Sequence, residues 1–126
     1  MIRYLLDTHA LLWYSNNSPR LSNMVRETLN NPISKLFISV ASLWEIAIKI
    51  GAGKLEIDFS ELLAKLKLVD IAVIPIENEY LTRLIDLPFI RKDPFDRLII
   101  VTAQTMDMTI VTTDENIQKY DTPWIW

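Results

Sequence analysis

Four short apolar runs, at residues 2–6, 36–38, 71–74 and 109–112, recur along this chain with helix-patterned segments between them. Runs this short, closed by turn residues or acids, read as buried strands. Helical spacing is expected over residues 8–14, 22–30, 39–50, 59–68 and 77–87, with Tyr80, Leu81, Leu84 and Ile85 of the last turned inward. Residues 98–101 (LIIV) would pass alone for another strand. They follow Asp93-Pro94-Phe95-Asp96, however, which places an acid at the cap, proline at the first helical position and a second acid at the third. That order marks a helix start, so a helix is predicted over 94–106. A short helix at 115–119 and an edge strand at 124–126 complete the chain. Strands alternating with helices predict an α/β fold with a parallel sheet. Such sheets place their ligand sites beyond the carboxyl ends of the strands.

Asp7 and Asp114 fall at that end of two predicted strands. Glu45 interrupts the apolar segment SLWEIAIKI, and Asp96 lies in DPFDRLIIV. An ionised carboxylate in apolar surroundings is unfavourable unless it is paired or bound to a metal. The four together point to one shared divalent cation. Each also has a plainer reading. Asp7, Asp93 and Asp114 are well placed as helix N-caps, each worth about 1 kcal/mol. Asp96 could be the third-position acid of its helix, favoured by the helix dipole. Glu45 could pair with Lys49 one turn on.

With 126 residues, half of them hydrophobic, the chain suits one domain over 1–126. Sixteen acidic residues against 13 basic give a net charge of −3, so no global basic excess draws in nucleic acid. The absence of cysteine excludes disulfides, thiolate zinc sites and cysteine nucleophiles, and is compatible with a cytoplasmic location. No stretch is apolar for the ~18 residues of a membrane span, and the amino terminus lacks the pattern of a signal peptide. His9 is the single histidine, which rules out catalysis by an imidazole pair. Gly51 and Gly53 are too few for a phosphate-binding glycine loop. Carboxylate and metal chemistry remains the main catalytic option.

The segments LLDTHALLW, SVASLWEIAIKIGAGKL, LPFIRKDPFDRLIIVTAQ and TIVTTDENIQKY, in this order, resemble the PIN domain family, and most of all its VapC-type toxin ribonucleases. The resemblance runs from about residue 5 to residue 126. It implies a three-layer α/β/α sandwich with a central parallel sheet and a metal-dependent endoribonuclease activity. It carries the family's acidic set onto Asp7, Glu45, Asp96 and Asp114, with Thr112 and Asp93 as supporting residues. It also implies a homodimer, held inactive by a small antitoxin protein. One departure is visible: where many relatives carry histidine two residues before DPFDR, this chain has Arg91.

On this reading Asp7, Asp96 and Asp114 hold Mg²⁺ or Mn²⁺, and Glu45 either ligates the ion or orients the attacking water. Arg97 is expected either to reach an RNA phosphate or to bridge an acid of the cluster. Arg91, Lys92, Lys49 and Lys54 are further cations within the argument, and His9 is expected beside the site or on the surface. The four tryptophans are expected in the core or an interface. A phosphatase using two aspartates two residues apart is disfavoured, because His9 stands where the second would be. The remaining alternative is a catalytically silent interaction or RNA-binding module of the same fold.

Overall fold

Five parallel strands form one sheet in the computed structural model, which describes residues 2–126. In chain order the elements are β1 (Arg3–Leu6), α1 (Thr8–Ser15), α2 (Asn23–Asn30), β2 (Lys35–Ser39), α3 (Val40–Gly51) and α4 (Phe59–Leu68). There follow β3 (Ile71–Ile74), α5 (Asn78–Asp86), α6 (Pro94–Met106), β4 (Thr109–Val111), α7 (Glu115–Gln118) and β5 (Trp124–Ile125). Every predicted strand and helix is present, with ends displaced by a residue or two.

Alternation along each strand divides the core into two layers. Tyr4, Leu6, Leu36, Ile38 and Val111 pack beneath the helices α1, α2, α3 and α4, through Leu11, Val25, Ile46, Leu62 and Leu66 among others. Leu5 and Ile110 point the other way and meet Tyr80 of α5, Ile99, Ile100 and Val101 of α6, and Ile117 of α7. Helices thus cover both faces, which makes the α/β/α sandwich. With both faces covered, the strands read as continuous apolar runs rather than alternating ones.

Helix α6 is the most buried, with every residue from Asp96 to Ala103 buried. The start signal prevails over the strand-like LIIV because Asp93 accepts hydrogen bonds from the backbone N–H groups of Phe95 and Asp96, with Pro94 in the first turn. Burying each Leu, Ile or Val side chain along it contributes about 1.5–3 kcal/mol. It packs against both α5 and α3 as well as the sheet, so it can be apolar nearly all round. Its exit is a left-handed Asp107 at φ 55°, which turns the chain into β4.

One expectation about packing is corrected. Leu81 and Ile85 of α5 face solvent, and the inward stripe is Tyr80, Leu84 and Leu87. The two sets lie on adjacent stripes of one helix, and α6 covers only one of them.

The strand order is β3-β2-β1-β4-β5. From β1 the chain moves outward to β2 and β3, then crosses to β4 on the other side of β1. The topological switch point therefore lies between β1 and β4. A crevice opens there beyond the strand ends in open parallel sheets, and it is the usual ligand position. Asp7 follows β1 directly, Asp114 lies three residues beyond β4, and the Asp7 N–H donates to the Val111 carbonyl at 3.1 Å.

Candidate active site

Asp7 leaves β1 and caps α1, accepting from the Ala10 N–H through Oδ1 at 2.8 Å. It is only 4% exposed. Burial raises its pKa; hydrogen bonds from the Thr112 hydroxyl and the Ala10 N–H and the proximity of His9 oppose the rise, while Asp114 adds to it. Thr112 is itself buried, and its hydroxyl oxygen accepts from the Asp114 N–H at 3.0 Å. One hydroxyl thus ties the loop after β4 to the acid after β1.

Asp114 caps α7 through Oδ1, which accepts from Asn116 and Ile117. Its second oxygen, Oδ2, pairs with Nη2 of Arg91 at 3.2 Å. Asp96 sits in the first turn of α6, and its Oδ2 accepts from Nε of the same Arg91 at 2.8 Å. One guanidinium therefore spans Asp96 and Asp114 across the mouth of the crevice. The Asp96 carboxyl is pushed up to about 6, by burial first and by Asp93 second, against the lowering effect of Arg91. Capping and charge pairing use different oxygens of Asp114, so the cap leaves Oδ2 free to meet a cation.

Glu45 projects from α3, which Ser39 caps through the Ala41 N–H. Its Oε1 accepts from the Thr8 hydroxyl at 2.7 Å, and its Oε2 pairs with Lys49 at 3.3 Å. Trp44 meets Phe95 edge to face at 5.1 Å between ring centroids, which joins α3 to the start of α6 beside Asp96. Glu45 is close enough to contribute to the raised pKa of Asp96.

Among the described residues, no three Asp, Glu or His side chains are gathered in an arrangement that could hold a metal ion as they stand. Arg91, Thr8 and Lys49 take up carboxylate oxygens that a cation would use. The donor set still fits a hard divalent cation. It is made of carboxylate oxygen alone, Asp7 and Asp114 flank the switch point, and a positive group already bridges Asp114 to Asp96.

Arg97 requires a correction. It is buried, and its guanidinium donates to the carbonyls of Pro88 and Leu87 at 2.9 and 3.0 Å, with longer bonds to Arg91, Leu84 and the Tyr120 hydroxyl. It lies over the Phe89 ring at 4.0 Å. It neither bridges an acid nor faces solvent where a phosphate could reach it; it holds the loop between α5 and α6. Trp44 and Trp124 are exposed rather than core, while Trp13 packs against Trp126 and stacks with an exposed His9. Two contributors escaped sequence reasoning. Thr8 orients Glu45, and only its place beside Asp7 hinted at a role. Tyr120 accepts from the N–H groups of Ile90 and Arg91 and donates to Pro88, a contact across 32 residues that no local pattern signals.

The PIN domain family matches residues 4–123. A search of curated proteins finds no match by sequence. Among solved structures, the fold is similar to a chain of VapBC2 from Rickettsia felis bound to a promoter DNA fragment, with TM-score 0.71, 18% identity and 98% of each chain covered. It is also similar to a chain of DNA-bound VapBC from Salmonella typhimurium, with TM-score 0.67, 18% identity and coverage of 99% and 98%. A chain of FitAcB from Neisseria gonorrhoeae gives TM-score 0.66 and 17% identity, with coverage of 98% and 96%.

Proposed function

The chain belongs to the PIN domain family, and on that premise we propose that it is a metal-dependent endoribonuclease of VapC type, the toxin of a toxin–antitoxin pair. The observation that carries the reading is the meeting of Asp96 and Asp114 on one cationic group at the switch point, beside a buried Asp7. Carboxylates from separate elements, two of them held above their ordinary pKa, form an anionic crevice that a divalent cation would relieve.

Asp7, Asp96 and Asp114 would hold Mg²⁺ or Mn²⁺. When bound, such a cation supplies charge neutralisation at the scissile phosphate and a lowered pKa for the attacking water. Glu45, oriented by Thr8 and Lys49, takes the proton from that water as it attacks phosphorus. The bond from phosphorus to the 3′ oxygen breaks, the 3′ oxygen gains a proton from solvent, and a 5′ phosphate and a 3′ hydroxyl result. Asp93 and Thr112 position Asp96 and Asp114 through backbone hydrogen bonds.

The small antitoxin and a homodimer belong to the same proposal. Trp44 and Ile48 of α3 are exposed beside the site, which supports docking of an apolar partner segment there. No helix among the described residues is long and apolar enough to cross a membrane, and a cytoplasmic site of action is proposed with the rest. The silent-module alternative draws on one observation, the Arg91 bridge that closes the acids against a cation. Asp7→Asn discriminates the two. The variant should keep the fold by circular dichroism and lose cleavage of RNA in Mg²⁺. Full activity in that variant, or undiminished activity in EDTA, refutes the metal mechanism; no cleavage by the unaltered protein on any RNA favours the silent module.

A further inference from the structure

Arg91 is delivered to the acids by an anchored backbone. The N–H groups of Ile90 and Arg91 both donate to the Tyr120 hydroxyl, at 3.1 and 2.9 Å, and that hydroxyl donates to the Pro88 carbonyl at 2.7 Å. Arg97 secures the same loop from beneath, through the carbonyls of Pro88, Leu87 and Arg91. The anchoring hydroxyl and guanidinium are both buried. A loop tied twice to the core sets the place from which the Arg91 side chain starts. The side chain itself is 32% exposed, so it can leave its partners without unfolding anything.

We propose that Arg91 is the resident counter-ion of the crevice, exchanged for the divalent cation on loading, and that its displaced guanidinium then binds a phosphodiester of the substrate next to the cation. The first half follows from position. Nε and Nη2 occupy the oxygens of Asp96 and Asp114 that the cation needs, and the two positive charges cannot share them. The second half follows from tether length. With its backbone held, a released Arg91 stays within one side chain of the acids, where the polyanion must lie. A guanidinium matches phosphate oxygens with paired donors, and lysine presents only a point charge. The proposal rests on the metal-dependent nuclease reading given above.

Calorimetric titration of Mn²⁺ into the unaltered protein, Arg91→Gln and Arg91→Lys tests the exchange without reference to activity. Arg91→Gln should bind Mn²⁺ on the order of tenfold more tightly, the weight of one or two partly exposed ion pairs. Arg91→Lys, which cannot span both carboxylates, should fall between. At saturating Mn²⁺ the same Gln variant should raise KM for RNA several-fold more than it lowers kcat, and Lys should restore part of the KM. Equal or weaker Mn²⁺ binding by Arg91→Gln overturns the exchange while leaving the metal reading intact. An unchanged KM overturns the phosphate role. Failure of all three proteins to bind Mn²⁺ overturns the metal reading, and the exchange falls with it.

Discussion

Asp96→Asn should make the protein more stable at neutral pH in EDTA, although it removes a charged group that is paired with Arg91. The Asp96 carboxyl has its pKa raised from 3.8 to about 6, by burial and then by Asp93, with the help of Arg91 already included. A carboxyl whose folded pKa exceeds its unfolded value holds its proton more tightly in the folded chain. The folded state therefore loses ground as pH rises between these two values, and the whole loss is present at neutral pH. A difference of about two pKa units corresponds to about 3 kcal/mol. Because the side chain retains 13% of its exposure, that figure is an upper bound. Asparagine mimics the protonated acid and should recover about 1–3 kcal/mol, or roughly 4 °C in Tm per kcal/mol for a chain of this length. The assay is thermal or urea unfolding of both proteins in EDTA from pH 4 to pH 8. The gain should shrink as pH falls through about 6 and vanish near 3.8. A variant less stable at neutral pH, or a gain unchanged at pH 4, would refute the assignment of an unfavourable buried charge.

Glu45→Gln should retain Mn²⁺ affinity within a few-fold and lower kcat by about 10²-fold or more, as expected for loss of a general base; a kcat within a few-fold of the unaltered value removes Glu45 from proton transfer. Arg97→Met should lower stability by about 1–3 kcal/mol, because it takes the guanidinium donor from the buried Leu87 carbonyl, while the Pro88 carbonyl keeps the Tyr120 hydroxyl. Denaturant unfolding measures this directly, and a loss under about 1 kcal/mol would mean that the loop does not depend on that guanidinium.

Much of the fold was legible because its signals are local. The strand runs, the Asp93-Pro94 start and the caps at Asp7, Ser39 and Asp114 act within a few residues of themselves. Asp7 and Asp114 could be paired from sequence because a parallel sheet directs both toward one edge. The order of strands could not be read, since nothing in β3 or β4 alone states which side of β1 it takes. Arg97 was misjudged because its partners are carbonyls of a loop folded back over α6, and backbone acceptors leave no mark on sequence. Leu81 and Ile85 were misjudged because helical spacing defines stripes without saying how wide the cover is. Arg91 stood out as a departure from the family, yet its bridge depends on Tyr120, which is 29 residues away in the chain. Local chemistry thus singled out the acids as candidates, and long-range anchoring decided that Arg91 meets Asp96 and Asp114.

Anomalous diffraction from crystals grown with Mn²⁺ puts the central claim to its most direct trial. The account predicts one peak among the carboxylate oxygens of Asp7, Asp96 and Asp114, with Arg91 withdrawn from both of its partners. A protein saturated with Mn²⁺ that shows no peak there, or that keeps the guanidinium of Arg91 between Asp96 and Asp114, would contradict it.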